Sequence, residues 1–369
     1  MSFEDGQLTP RPIQRSIYAS FWRKTRPRSF LYALVVFPVY LIGRIFPRKD
    51  VTLYGSFNGR RVGDNSWAAF TNNPDQNAFF VTKSKSELLR LRDSYRVVSC
   101  YSWYGLWLQL RARKVFFSHT IEDFFAPLVI GATVVALGHG IPLKKSAAAD
   151  RRLHWIHKPL MRFLIMNFSP FLYHYYCNEV VSPHEIFDSP KMEVYGFSNP
   201  KLIRQQMPRI TSAETIEKKT NKLLFAPTFR NSQSFHQTMS RAGLLEPQLG
   251  ELIRDRNVEL WLKPHYLDRH EAISIQLPAW VKLLDSDEAT NSLGSFKGLI
   301  TDYSSIFYDS VVLETPVAFL SHDVDEYSAG ESELFDWYLK ILDKQGTASL
   351  DLAISKLLDG QGFTISNLS

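Results

Sequence analysis

The sequence predicts an α/β protein of two Rossmann-like domains, and three observations carry that expectation. The chain has 369 residues, more than one compact core usually holds. Short apolar runs of strand length alternate with helical patterns, the order that builds a parallel sheet. The alternation stops once, in a polar and charged stretch at 200–221, and then begins again. The expected layout is a basic and apolar segment over 1–50, a first α/β domain over 51–205 and a second over 206–369. Apolar residues are 45% of the chain and charged residues 22%, a balance that buries a core and excludes wholesale disorder. Two cysteines, Cys100 and Cys177, are too few for a disulfide framework and are not spaced like zinc ligands, so a reducing cytoplasm fits.

The first domain opens with a strand at 51–54 and a turn rich in Gly, Asn and Asp at 55–65. Further strands are expected at 79–82, 97–99, 115–118, 133–137, 179–181 and 192–195, with a helix at 84–92. Residues 211–214 offer a helix start inside the junction. The second series has strands at 223–226, 259–263, 281–284, 298–301 and 316–320, and helices at 247–255 and 306–313. Ligands of open α/β sheets sit beyond the carboxyl ends of the strands, so the polar residues there are the first candidates for a site. Two such domains facing each other across a cleft describe the GT-B architecture.

The formal charge of +6 points to anionic partners: nucleic acid, a phosphorylated substrate or an acidic membrane face. Its placement separates these. Nine Lys and Arg and no acid lie between Arg11 and Lys49, around an apolar run at 30–46. As a helix that run reaches about 26 Å, short of the roughly 30 Å hydrocarbon core. It reads as an interfacial or re-entrant anchor at the cytoplasmic face of the cell membrane and not as a cleaved signal peptide. A buried helix beneath the first domain is the alternative. A second acid-free stretch, 151–176, mixes Arg151, Arg152, Lys158 and Arg162 with Trp155, Phe163, Tyr173, Tyr175 and Tyr176. Such mixtures suit the headgroup region, although a core helix with a solvated basic face gives the same composition. Two such segments favour peripheral or monotopic membrane contact over nucleic acid.

Four strand-end clusters carry the chemistry: 138–145, 226–230, 262–265 and 301–305. None is a Walker loop, a dinucleotide glycine fingerprint or a zinc HExxH motif, so no cofactor is expected. No carboxylates show metal-ligand spacing and no metal ligands are assigned; the basic groups could neutralise charge as Mg²⁺ does elsewhere, which leaves metal dependence open. His139 lies between Gly138 and Gly140, which let backbone approach a ligand closely. Its imidazole suits removal of a proton from an attacking hydroxyl, while a lone His after a strand also serves structural roles. Lys144 and Lys145 follow as candidates for neutralising phosphate. In the second domain Thr228 and Arg230 offer a hydroxyl and a guanidinium fork, and Lys263 and His265 flank Pro264. His265 is a second catalytic candidate, placed to stabilise charge on a transferring phosphoryl group or its leaving phosphate. Asp302, Ser304 and Ser305 precede an apolar-faced helix, where free N–H groups bind anions and where Ser and Asp also serve as ordinary caps.

Taken in order, these motifs become recognisable. Gly-Ser-Phe-Asn-Gly with Asp64-Asn65, His-Gly-Ile-Pro-Leu-Lys, Ala-Pro-Thr-Phe-Arg, Lys-Pro-His and Thr-Asp-Tyr-Ser-Ser-Ile-Phe-Tyr-Asp lead to Asp323-Val324-Asp325-Glu326-Tyr327. The chain resembles the CDP-glycerol glycerophosphotransferase family of teichoic-acid primases and polymerases, from about Tyr54 to Tyr338. The resemblance implies a GT-B fold, monotopic attachment and a CDP-alditol donor that releases CMP as its alditol phosphate passes to a lipid-linked, undecaprenyl-type acceptor. It implies that His139 is the catalytic base, with His265, Thr228, Arg230, Ser304 and Ser305 around the donor phosphates. The chain departs from the family pattern at Gly138, where an aromatic residue is frequent, and at 196–200. Two competing readings are a nucleotide-sugar glycosyltransferase of the same fold and a non-catalytic membrane-bound interaction protein.

Overall fold

A computed structural model describes residues 17–150, 158–212, 221–265, 267–284 and 292–368, with side chains from Leu31 onward. Residues 151–157 of the second basic stretch, and 213–214 of the expected helix start, lie outside the described residues. Contacts divide the chain into two compact units, Tyr18–Ser212 and Ala213–Ser369.

The first unit holds a seven-stranded parallel sheet made of β1 (Lys49–Gly55), β2 (Ala78–Thr82), β3 (Val97–Ser99), β4 (Ala112–Phe117), β5 (Thr133–Ala136), β6 (Glu179–Ser182) and β7 (Lys201–Arg204). Their order is β3-β2-β1-β4-β5-β6-β7, so the direction of winding reverses between β1 and β4. Runs such as Thr133-Val134-Val135-Ala136 suit strands because β-branched side chains pack well on a pleated surface covered on both faces.

Residues 192–195 are not a strand. They end the helix Asp188–Tyr195, which Asp188 favours in its first turn and Pro190 tolerates there. Its apolar residues Val194 and Tyr195 are buried, which is why a short apolar run looked strand-like. The strand of that region is β7, whose Lys201 and Arg204 are exposed at the sheet edge. Charge on an edge strand blocks further pairing and hides the strand in a polar stretch.

The expected anchor is part of a helix running Ile17–Ile45. Among the described residues no helix is long and apolar enough to cross a membrane. The helix is bound to the first unit on one side. Gly43 lies so close to Pro127 and Leu128 that a Cβ there would meet the Pro127 carbonyl at 2.4 Å. Tyr40 is buried against Phe171, with 5.4 Å between ring centroids, and its hydroxyl donates to the Asn167 carbonyl at 3.4 Å. Arg48 donates to the carbonyls of Gly43, Gln109, Leu110 and Leu128, joining three helix ends where a cation opposes the dipole. Burial pulls that guanidinium down to about 10. The opposite side presents Leu31, Leu34, Val35, Ile42 and Ile45 to solvent.

The second unit holds a six-stranded parallel sheet in the order β10-β9-β8-β11-β12-β13, again with one reversal, here between β8 and β11. Its strands are β8 (Lys222–Ala226), β9 (Glu259–Leu262), β10 (Val281–Leu283), β11 (Gly298–Thr301), β12 (Val317–Leu320) and β13 (Gly346–Thr347). Leu223, Phe225, Leu260, Leu262 and Ile300 form its core with Phe235, Met239 and Ile354.

Candidate active site

The carboxyl ends of β1, β4 and β5 flank the reversal point of the first sheet, and the residues just beyond them gather. Asp64 opens the helix Asp64–Thr71, His119 follows β4 and His139 follows β5. The Asp64 carboxylate is 2% exposed and pairs with three groups. His139 Nδ1 donates to Asp64 Oδ2, Arg209 Nη1 lies 2.5 Å from Oδ1, and His119 Nε2 lies 3.9 Å from Oδ2. Burial alone would raise the Asp64 carboxyl, but the neighbouring His139 and Arg209 hold it well below the usual carboxylate range. An ionised Asp64 keeps the proton of His139 on Nδ1 and leaves Nε2 as a free base on a ring that is 60% exposed. That is the arrangement a general base needs.

His119 is set differently. Its Nδ1 accepts the Phe57 amide at 3.1 Å, so the neutral ring carries its proton on Nε2. The ring packs at a tilt against Phe57, at 4.2 Å, and against His139, at 4.5 Å. Burial pulls His119 down to about 3, and the neighbouring His139 acts in the same direction. His119 therefore faces its partner as a neutral ring. Asp64, His119 and His139 are close enough to resemble a metal triad. The donor set does not fit one: the His119 nitrogen facing Asp64 bears a proton, and Arg209 already neutralises the carboxylate.

The turn that supplies the Phe57 amide is built from Phe57, Asn58 and Gly59, all with positive φ. Asn58 Oδ1 accepts the Thr120 hydroxyl at 2.7 Å, which fixes the turn to the segment after β4. Beneath it lies Asp123, fully buried, with the Asn58 and Gly59 amides near its carboxyl. Burial pushes its carboxyl up to about 8, against the amides of Asn58 and Gly59 and the Lys83 ammonium. Lys144 and Lys145 are half-buried farther along the segment after His139.

In the second unit, Thr228, Arg230 and Asp302 meet at the ends of β8 and β11, but not as an open phosphate grip. Arg230 is 3% exposed, and its guanidinium is committed to Asp302 at 2.9 Å and to Asp323 at 2.8 and 3.0 Å. Asp302 Oδ1 also accepts the Thr228 amide at 2.8 Å and hydroxyl at 2.5 Å. Tyr303 donates to Asp323 at 2.8 Å, and the rings of Tyr303 and Tyr327 lie 5.5 and 5.4 Å from the guanidinium. Burial favours a neutral carboxyl at Asp323, but the bonds from Arg230 hold it below its ordinary value. The fork expected to meet phosphate at Arg230 instead braces two strand ends, because two buried carboxylates reach it first.

Groups around this brace remain suited to an anion. Ser305 begins the helix Ile306–Val312 and makes no side-chain capping bond, and Ser304 Oγ accepts the Ile306 amide only at 3.5 Å. Lys263 and His265 are half-buried beyond β9. His265 Nδ1 accepts the Leu267 amide at 3.4 Å, which leaves the proton on Nε2 as a donor, and the ring leans on Phe229 at 5.6 Å. Sequence reasoning had no role for Asp64, His119 or Arg209. The rule that flagged His139, a polar residue just past a strand, also covers His119, and Asp64 sat in a quoted motif. Arg209 carried no local signal.

The chain is similar to proteins of known family and fold. Residues 39–345 match the family model described as CDP-Glycerol:Poly(glycerophosphate) glycerophosphotransferase. A teichoic acid ribitol-phosphate primase of Bacillus spizizenii is 30% identical over 131 residues, 36% of this chain and 33% of the relative. A teichoic acid glycerol-phosphate primase of the same organism is 31% identical over 108 residues, 29% of this chain and 27% of the relative. The matched stretches thus span about a third or less of these curated relatives. The structure of the wall teichoic acid polymerase TagF shares the fold, with a TM-score of 0.59 at 15% identity over 94% of this chain and 92% of that one. The family model spans most of the chain: the protein belongs to the CDP-glycerol glycerophosphotransferase family.

Proposed function

We propose that this chain transfers an alditol phosphate, glycerol phosphate foremost, from a CDP-activated donor to a lipid-linked acceptor in the synthesis of a teichoic-acid-like or capsular polymer. The observation that carries the reading is the Asp64–His139 pair: a buried ionised carboxylate fixes the tautomer of an exposed imidazole. In the reaction, His139 Nε2 takes the proton of an acceptor hydroxyl. The resulting oxygen bonds to the β-phosphorus of the donor, the bond from that phosphorus to the bridging oxygen breaks, and CMP leaves with the electron pair. His265, Lys263, Ser304 and Ser305 hold the donor's phosphates, where positioning and charge neutralisation do most of the catalytic work. Thr228, Arg230 and Asp302 set the strand ends from which those groups project.

The same reading gives the exposed apolar helix face a purpose. The helix Pro159–Phe168 exposes Leu160, Phe163, Leu164 and Phe168, while Arg162 is turned inward onto the carbonyls of Gly196 and Phe197. It joins Ile17–Ile45 through the Tyr40–Asn167 bond, so the two apolar faces belong to one unit. Trp103, Tyr104 and Trp107 are exposed on a third helix, and Trp107 meets Phe46 at 5.8 Å. Exposed aromatic and aliphatic residues of this kind, with basic segments close by in the sequence, suit peripheral attachment to the cytoplasmic leaflet.

Purified protein incubated with CDP-glycerol, CDP-ribitol or a UDP-sugar, each with membrane lipid acceptor, tests the reading. The expected result is CMP release and an acceptor heavier by one or more alditol phosphates. UDP-sugar turnover with no CMP from any CDP-alditol would refute it.

A further inference from the structure

Three consecutive carbonyls around His139 are each held by a side chain from a different helix. Asn65 Nδ2, on Asp64–Thr71, donates to Gly138 O at 2.7 Å. Arg209 Nη1, on Pro208–Thr211, donates to His139 O. Lys191 Nζ, on Asp188–Tyr195, donates to Gly140 O at 3.2 Å. Backbone carbonyls in a loop usually turn to water or to other backbone. Here the peptide carrying an exposed imidazole is instead gripped from three sides.

Lys191 is the unusual member. It is 1% exposed, and among the described residues no carboxylate pairs with it. An ammonium buried without a counter-charge is costly and is rarely kept for stability. Burial pulls it down to about 8, with the Arg209 charge adding to the shift, so it remains mostly charged near neutral pH. The loop has been shaped around it: Gly138 has φ +77°, and a Cβ there would lie 2.7 Å from Lys191 Nζ. Only glycine both adopts that conformation readily and leaves the ammonium room.

We propose that Lys191 is a positioning residue for the transfer reaction, acting through Gly140 and His139 and never touching substrate. With Asn65 and Arg209 it fixes the peptide that carries the base, so that Asp64 orients the ring on a rigid support. The inference rests on the reading of His139 as the base. A held near-attack geometry is sensitive to small displacements, which gives the size of the expected effect.

The test compares Lys191→Met, Lys191→Gln, His139→Ala and the Lys191→Met/His139→Ala double variant in CMP release from CDP-glycerol. Lys191→Met should lower kcat by about 10- to 100-fold, with the donor KM within about twofold and the unfolding midpoint unchanged or raised. Lys191→Gln should fall between, since its amide can still donate to Gly140 O. In the His139→Ala background Lys191→Met should cost nothing more, the non-additivity of residues acting as one unit. A second readout does not depend on turnover: ring signals of selectively ¹⁵N-labelled His139, assigned by their loss in His139→Ala, should shift or broaden in Lys191→Met while those of His265 stay in place. Wild-type kcat with unmoved ring signals in Lys191→Met would overturn the inference, as would an equal further loss in the His139→Ala background or a fall in kcat that merely follows a fall in stability. Absence of CMP release by the wild type would instead refute the functional reading, and the ring signals would still test the grip on His139.

Discussion

At the reversal point of the first sheet a buried carboxylate, Asp64, carries an imidazole that is 60% exposed; at the reversal point of the second, a buried guanidinium, Arg230, carries two carboxylates that stay buried with it. Both are ion pairs at the ends of parallel strands. In the first, the charge ends in a group that can take a proton from solvent or substrate. In the second, hydrogen bonds close the network on itself through Thr228, Tyr303 and the short contact of Tyr338 with the Asp302 carbonyl. A charged residue at a strand end is thus a functional group only when its partners leave one face open. Where they do not, its work is to hold the strand ends that carry others.

That contrast can be broken most directly at Arg230. Arg230→Met leaves Asp302 and Asp323 buried without a counter-charge and should cost about 3–5 kcal/mol in chemical denaturation. Loss of donor affinity at undiminished stability would instead make Arg230 a phosphate grip and erase the distinction.

A smaller effect is expected beneath the first site, at Asp123. Its folded-state value near 8 lies above the unfolded value of roughly 3.9, so the folded protein holds a proton that unfolding releases. Stability should therefore decline as pH rises through that window and level off beyond it. Asp123→Asn keeps the shape and removes the titration. Its thermal midpoint should exceed that of the wild type at alkaline pH and approach it in acid; parallel midpoints across the range would show that the buried carboxyl does not govern the turn under Phe57.

The smallest effect has the opposite sign and belongs to His119. Its folded-state value near 3 lies below the unfolded value of roughly 6.5, so its stability contribution is complete above the unfolded value and is lost as pH falls toward 3. His119→Gln should flatten the acid side of the midpoint-versus-pH curve. An unchanged acid limb would mean that the ring between Phe57 and His139 is charged.

Much of this was legible in the sequence, for a physical reason. Strands buried on both faces must be short apolar runs, so residues 79–82, 133–137, 223–226 and 298–301 announced themselves, and polar residues after them marked the site edge. β7 did not, because an edge strand carries Lys201 and Arg204 outward. Residues 192–195 misled because four apolar-rich residues fit a strand or the buried side of a helix equally well. His139 was visible from its flanking glycines and Arg230 from its motif. Their opposite situations were not, since these depend on Asp64, Arg209 and Asp323, which lie 75, 70 and 93 positions away in the chain. Pairing at that range is a property of the folded sheet and leaves no local pattern.

The central claim is that His139, fixed by Asp64, is the base that starts alditol-phosphate transfer. The most direct measurement is the rate of CMP release from CDP-glycerol, with lipid acceptor present, by His139→Ala and by the wild type. The account predicts a fall of about 10²- to 10⁴-fold with the unfolding midpoint retained, because the ring is exposed and its loss opens no cavity. A variant that folds and releases CMP at the wild-type rate would contradict it.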